Sequence, residues 1–223
     1  MKINKHLTFA TSGLLAPRNM MIIIYCYSYI MQTKPSRRET THERIVEVAA
    51  RALRRNGYSG VGVADVMKQA GLTHGGFYAH FPSRDALLAE AIAHAGRDSA
   101  VTMGRRISQR QTRGQSALRA VIESYLSETH LLEVECGCVV AALGSEMHRQ
   151  SSALLAPSAE RVRGLIAMVQ QALTADGTPE QAMVITSTLV GTLQLARTLG
   201  ANAQGKALLT AARTALLAQY DLA

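Results

Sequence analysis

From residue 41 onward the apolar positions recur at helical intervals. In "THERIVEVAARALRRNGY", Ile45, Val48, Ala49, Ala52 and Leu53 fall at i, i+3, i+4, i+7 and i+8, one stripe of an amphipathic helix. Thr40 or Thr41 is placed to cap it, and Gly57 after Asn56 to stop it. "VADVMKQA" predicts a second, shorter helix with Val63, Val66, Met67 and Ala70 inward, ended by Gly71 where a tight turn needs positive φ. Leu72 points back to the core, and Thr73 is placed to cap a third helix. In that helix, "GLTHGGFYAHF", Phe77 and Phe81 are four apart and share the inward face.

The pattern continues beyond Pro82. A long fourth helix begins at about Arg84, with Leu87, Leu88, Ala91, Ile92 and Ala95 inward. A fifth spans "ALRAVIESYLSETHLL", a short one follows Cys138, and another covers "SAERVRGLIAMVQQALTA". "TPEQAMVITSTLVGTLQLARTLG" opens with Thr178 as cap, Pro179 at the first helical position and Glu180 in the first turn, and closes at Gly200. A last helix runs from about Asn202 to Tyr220. No stretch alternates apolar and polar residues long enough to read as a strand, so the fold class is all-α. The last two helices are apolar over more than one face and rich in small residues: Ala182, Ser187, Gly191, Ala196, Ala211, Ala212 and Ala215. One such face serves the subunit core and the other a symmetric partner.

Composition adds that aromatics are scarce and helix formers dominate. The formal charge of +8 is not spread evenly. Six of the eight surplus charges (Lys2, Lys5, Arg18, Lys34, Arg37 and Arg38) precede the first acidic residue, Glu39, so the remainder carries only +2. Cys26, Cys136 and Cys138 make no even disulfide framework, which fits a reducing cytoplasm. The apolar run "MMIIIYCYSYIM", residues 20–31, is shorter than the ~20 residues that span a bilayer and is followed by no A-x-A-like cleavage site. Residues 1–33 are therefore read as an N-terminal extension, non-native or disordered, with translation starting at Met31, and no membrane partner is expected.

The short third helix after a glycine turn is a helix-turn-helix arrangement, whose second helix enters the DNA major groove by its N-terminal end. This explains Gly75 and Gly76: in the first turn, missing side chains let backbone N–H groups approach phosphates or base edges. His74, Gly75, Tyr78 and, at the edge, His80 stay available for contact, and Arg37 and Arg38 form a basic arm before the first helix.

Residues 57–91, "GYSGVGVADVMKQAGLTHGGFYAHFPSRDALLAEA", resemble the DNA-binding domain of the tetracycline-repressor (TetR) family of bacterial transcription regulators. The matching residues are Ala70-Gly71, Leu72-Thr73, Gly75, Phe77-Tyr78, His80-Phe81, Ser83 and Leu87. The resemblance implies that Thr73, Tyr78 and Arg84 hold phosphates while His74 and Gly76 face bases. It departs from the family at Arg84, where Lys is usual, and at Gly62, where a capping Thr or Ser is usual. It also implies a homodimer through the last two helices. The expected organisation is a three-helix DNA-binding domain at residues 34–82 and a larger helical ligand-binding and dimerisation domain at residues 83–223.

The resulting reading is a bacterial, cytoplasmic, ligand-responsive repressor. It binds a near-palindromic double-stranded operator and is released by a small-molecule effector held in a pocket lined by the fifth to eighth helices. Met103, Tyr125, Leu126, Met147 and Met168 are the pocket-wall candidates. No cofactor is expected, and the chain has no G-x-S-x-G, H-E-x-x-H, Walker or dinucleotide motif. Two alternatives stay open. His130, Glu133, Glu135, Cys136 and Cys138 in "HLLEVECGCVV" would serve a redox or metal sensor, and a small helical enzyme is the other.

Overall fold

The computed structural model describes residues 36–221, all helices and connections with no strand among them. The proposed start at Met31 and the apolar run of residues 20–31 lie outside the described residues. The chain divides into two units after Thr40. In the first, the Ser36 hydroxyl accepts the Glu39 N–H at 3.2 Å, and the Glu39 carboxylate accepts the Ser36 N–H at 2.7 Å. This reciprocal S-x-x-E cap starts α1 (Arg37–Asn56) ahead of the expected Thr40 or Thr41. Arg37 and Arg38 are thus first-turn helical residues and not an arm.

Within residues 41–223, α1 buries Ile45, Val48, Ala49 and Leu53, the stripe expected of it. The second helix, α2 (Val63–Gln69), begins at Gly62 with no side-chain cap. It ends in two backbone bonds, Gly71 N–H to Lys68 C=O at 3.0 Å and Leu72 N–H to Met67 C=O at 2.9 Å. This is a Schellman ending, and it requires the left-handed φ of 69° that Gly71 supplies. The third element is a 3₁₀ helix, His74–Ala79, tighter than an α-helix. Phe77 and Phe81 are buried and stacked, with ring centroids 5.6 Å apart.

Next comes α3 (Arg84–Gln111), capped by the Ser83 hydroxyl, which accepts from the Ala86 N–H at 3.1 Å. The expected fifth helix is two: α4 (Ala117–Tyr125) and α5 (Glu128–Leu132). Leu126 leaves helical geometry and the Ser127 hydroxyl caps anew, accepting from the His130 N–H at 3.1 Å. Then follow α6 (Val139–Met147) and α7 (Ser152–Ala172). The latter starts earlier than expected, because Pro157 is carried inside the helix and does not mark its start. The last two are α8 (Pro179–Leu199), with a full Thr178/Gln181 capping box, and α9 (Ala203–Tyr220), capped by Asn202. These two helices pack on each other, and α3 packs on both α4 and α7.

By length and composition α8 could cross a membrane, with mean hydropathy 1.2. Its Ala182, Ile185, Leu189, Leu193 and Ala196 are, however, fully buried in the protein core. A core helix of a globular protein satisfies the same criterion.

Candidate DNA-binding face and regulatory cavity

The 3₁₀ helix presents Thr73, His74 and Gly75 to solvent, with Gly76 half-buried. A Cβ at Gly75 would meet nothing within 4 Å, so this first turn is bare backbone. The Thr73 hydroxyl makes no capping bond, contrary to expectation, which leaves it on the same open face. Tyr78 is 71% exposed, its ring set edge-on to Phe77 with centroids 5.2 Å apart. His80 is half-buried, its ring 5.9 Å from that of His42.

Arg84 is placed otherwise than expected. Its Nε donates to the Val61 carbonyl at 3.0 Å and an Nη donates to the Tyr58 carbonyl. The guanidinium is spent clamping the α1–α2 connection to the start of α3. These carbonyls lie close enough in space to capture it, which sequence order does not reveal.

The cavity lies in the larger part of the chain, with a volume of about 560 Å³. It is walled by α3 (Met103, Ile107), Tyr125 at the end of α4, His130, the Cys136–Val140 turn, and α7 (Arg161, Met168). Met103, Tyr125 and Met168 line it. Leu126 and Met147 do not; both are core side chains, Leu126 fully buried. The fourth helix of the sequence, α3, which carries Met103, supplies a wall beside those of the fifth to seventh, and no residue of α8 lines the cavity.

The cluster around Cys138 forms a buried network and not a metal site. His130 Nδ1 lies 2.8 Å from the Tyr125 carbonyl, and its Nε2 accepts the Cys138 N–H at 2.9 Å. A carbonyl can only accept, so Nδ1 carries the proton and the imidazole is neutral. Both nitrogens are engaged and neither has a lone pair to offer a metal. Burial drives the same way, holding His130 down at about 4 from 6.5. Glu133 pairs with Arg106, and Glu135 with Arg55 at 3.1 Å. Among the described residues no group of three or more His, Cys, Asp or Glu side chains could hold a metal ion.

Tyr125 is 1% exposed, and no nitrogen or oxygen of the protein bonds its buried hydroxyl, which has the Cys138 thiol as its neighbour. Burial pushes its phenol well above the ordinary value, the neighbouring Cys138 adds to this, and Arg197 opposes it. Arg197 itself donates through one Nη to the His130 carbonyl at 2.8 Å, while its Nε and other Nη are buried without partners. Burial lowers its pKa.

The helices that wall the cavity also hold α1 and its exit. Arg54, 3% exposed, donates to the Ala95 carbonyl at 3.2 Å and to Asp98 at 3.0 Å, both on α3. The Tyr58 N–H donates to Glu146 of α6 at 3.0 Å, and its hydroxyl meets Ser158 of α7 at 3.4 Å. These residues were not singled out by sequence reasoning. The one available signal was the buried-face position of Arg54, out of keeping with an arginine.

Residues 45–91, the stretch that makes up this helix-turn-helix, match the bacterial regulatory proteins of the tetR family. Over 166 residues the chain is 31% identical to an uncharacterised HTH-type transcriptional regulator of Mycobacterium tuberculosis, spanning 70% of this chain and 83% of that one. Solved structures share the fold. The reduced form of Escherichia coli NemR superposes with a TM-score of 0.63 at 21% identity, covering 79% of this chain and 95% of that one. A TetR-family regulator from Agrobacterium tumefaciens gives 0.63 at 21% identity, covering 82% and 98%. The chain belongs to the TetR family of helix-turn-helix transcriptional regulators. The family and these structural neighbours are regulators of transcription, not enzymes.

Proposed function

We propose that the protein is a ligand-responsive repressor. It binds a near-palindromic operator as a homodimer and releases it when a small molecule enters the cavity. Residues 34–82 serve as the DNA-binding domain, and residues 83–223 as the ligand-binding and dimerisation domain, in the bacterial cytoplasm and without enzymatic turnover. Thr73, Tyr78 and His80 contact phosphates, His74 and the backbone at Gly75 and Gly76 approach base edges, and Arg37 and Arg38 add positive charge.

One observation carries this reading. The helices walling the cavity, α3, α6 and α7, are those bonded to Arg54 and Tyr58 at the end of α1. A ligand that separates them would shift the spacing of two recognition elements, which must match successive major grooves about 34–36 Å apart. The test selects an operator from random duplexes with the purified protein, then titrates small molecules into the complex and follows DNA release by fluorescence anisotropy. Failure to enrich any duplex sequence would defeat the DNA-binding reading. Retention of DNA while a compound is shown to occupy the cavity would defeat the release mechanism.

A further inference from the structure

The cavity is more than an apolar hollow, because a lining arginine, Arg161, keeps a buried N–H that no protein acceptor meets. Arg161 projects from α7 across Gly96 of α3. A Cβ at residue 96 would stand 2.7 Å from an Arg161 Nη, so with glycine there the guanidinium lies directly against the α3 backbone. Gly96 lies inside the continuous helix α3, where glycine is unfavourable, and Arg161 packs over it. The Arg161 Nε is buried without an acceptor. An Nη of Arg161 pairs with Glu160 at 2.6 Å, but that carboxylate is 66% exposed and its hold is weakened by solvent. The Tyr125 hydroxyl, on the same cavity wall, is a second buried polar group, with the weakly bonding Cys138 thiol beside it and no oxygen or nitrogen acceptor.

Charge points the same way. The lining carries Arg106, Arg161 and Arg163 against one lining carboxylate, Glu160, although Arg106 is paired with Glu133 outside the lining. Behind Gly137, Arg197 places a further positive charge with two unpartnered nitrogens. The remaining wall is apolar, formed by Met103, Ile107, Val139, Leu165 and Met168. Buried unsatisfied donors are costly and are rare in folded proteins, except where a ligand completes them.

We propose that the cavity takes a small organic acid, its anionic end against Arg161 and the Tyr125 hydroxyl and its apolar body along Met103, Ile107 and Met168. The assignment rests on the ligand-release reading above and names the effector's chemical class. A cation would meet the arginines unfavourably. A neutral amphiphile would fill the apolar wall but bring no anionic acceptor to the buried Arg161 Nε.

The test is calorimetric titration of the full chain with straight-chain carboxylates from butanoate to dodecanoate and with phenylacetate. The matching alcohols and amines are titrated alongside. At least one acid is expected to bind saturably and about tenfold or more tightly than its alcohol and its amine. Arg161→Met should weaken that acid by about tenfold and Tyr125→Phe by a few-fold, with the alcohol little affected. Alcohols or amines binding as tightly as the acids would overturn the assignment, as would the absence of binding by every acid. The comparison among head groups uses the unaltered protein, so it stands even if a variant misfolds. Operator release is read separately. An acid that binds with the expected preference yet leaves DNA bound would sink the release reading and leave the acid site standing.

Discussion

At the scale of single residues, buried polar atoms decide the most. His130 is neutral because both nitrogens are committed, and burial holds its pKa at about 4 against 6.5 when exposed. Above pH 6.5 the imidazole is neutral in folded and unfolded chains alike, and it contributes no pH dependence. As pH falls from 6.5 toward 4 the unfolded chain takes up a proton that the folded one refuses, so stability is lost over that window. The full loss amounts to about 3 kcal/mol. Urea unfolding of the unaltered protein and of His130→Gln at several pH values should show a steeper decline for the former. Parallel curves would remove His130 as the cause.

Gly71 gives a second residue-scale expectation. Its φ is 69°, and an added Cβ would meet nothing within 4 Å. Gly71→Ala should therefore cost only the left-handed backbone penalty, roughly 1–2 kcal/mol, measured by the same unfolding assay. A loss well beyond that range would mean the turn contains contacts that the geometry does not show. Cys138 is buried in the cavity wall, where a thiol behaves as a small apolar group. Cys138→Ala should preserve operator binding, and oxidant should release DNA no faster from the unaltered protein than from the variant. Faster release that the substitution abolishes would establish Cys138 as a redox sensor.

At the scale of elements, Arg84 and Tyr78 separate structural from contact roles on neighbouring segments. Arg84 bonds two carbonyls of the α1–α2 connection, so Arg84→Ala should destabilise the fold by about 1–3 kcal/mol. It should leave the salt dependence of DNA binding unchanged. Tyr78 is exposed on the 3₁₀ helix, so Tyr78→Phe should leave stability unchanged and weaken binding to all duplexes about equally. Denaturation curves and affinities over a salt series check both. A reduced salt slope in Arg84→Ala would restore that residue to the phosphate contacts.

At the scale of the whole molecule, α8 has two faces with different fates. Ala182 and Ala196 are buried within the subunit, whereas Met183, Val184, Leu195 and Leu199 are exposed. On α9, Ala211 and Ala215 are exposed as well. Small and apolar residues open to solvent on adjacent helices suit close approach of a second copy. Leu195, 60% exposed, is suited to test this. Leu195→Glu should shift sedimentation toward the monomer and lower operator affinity steeply, because each half-site would then be bound alone. A variant that stays dimeric would place the subunit contact elsewhere.

What the sequence by itself determined was local in origin. Period and punctuation were enough for α2, α8, α9 and the buried stripe of α1, because stripes and helix ends, such as Thr178 with Gln181 and the Gly71 ending, act over a few residues. The helix-turn-helix was legible for the same reason, as one short ordered stretch carries it. The break at Leu126 was not, because apolar positions continue through "ESYLSETHLL" and only packing decides that Ser127 caps anew. Nor was the Ser36–Glu39 cap recognised, although its S-x-x-E spacing stood in the chain. The cavity belonged to tertiary structure alone. Gly96 and Arg161 are far apart in sequence, and so are Tyr125 and Arg197, so their juxtaposition depends on how α3, α4, α7 and α8 pack. Periodicity reports which face of a helix turns inward, but it carries no information about which inward faces leave a space between them.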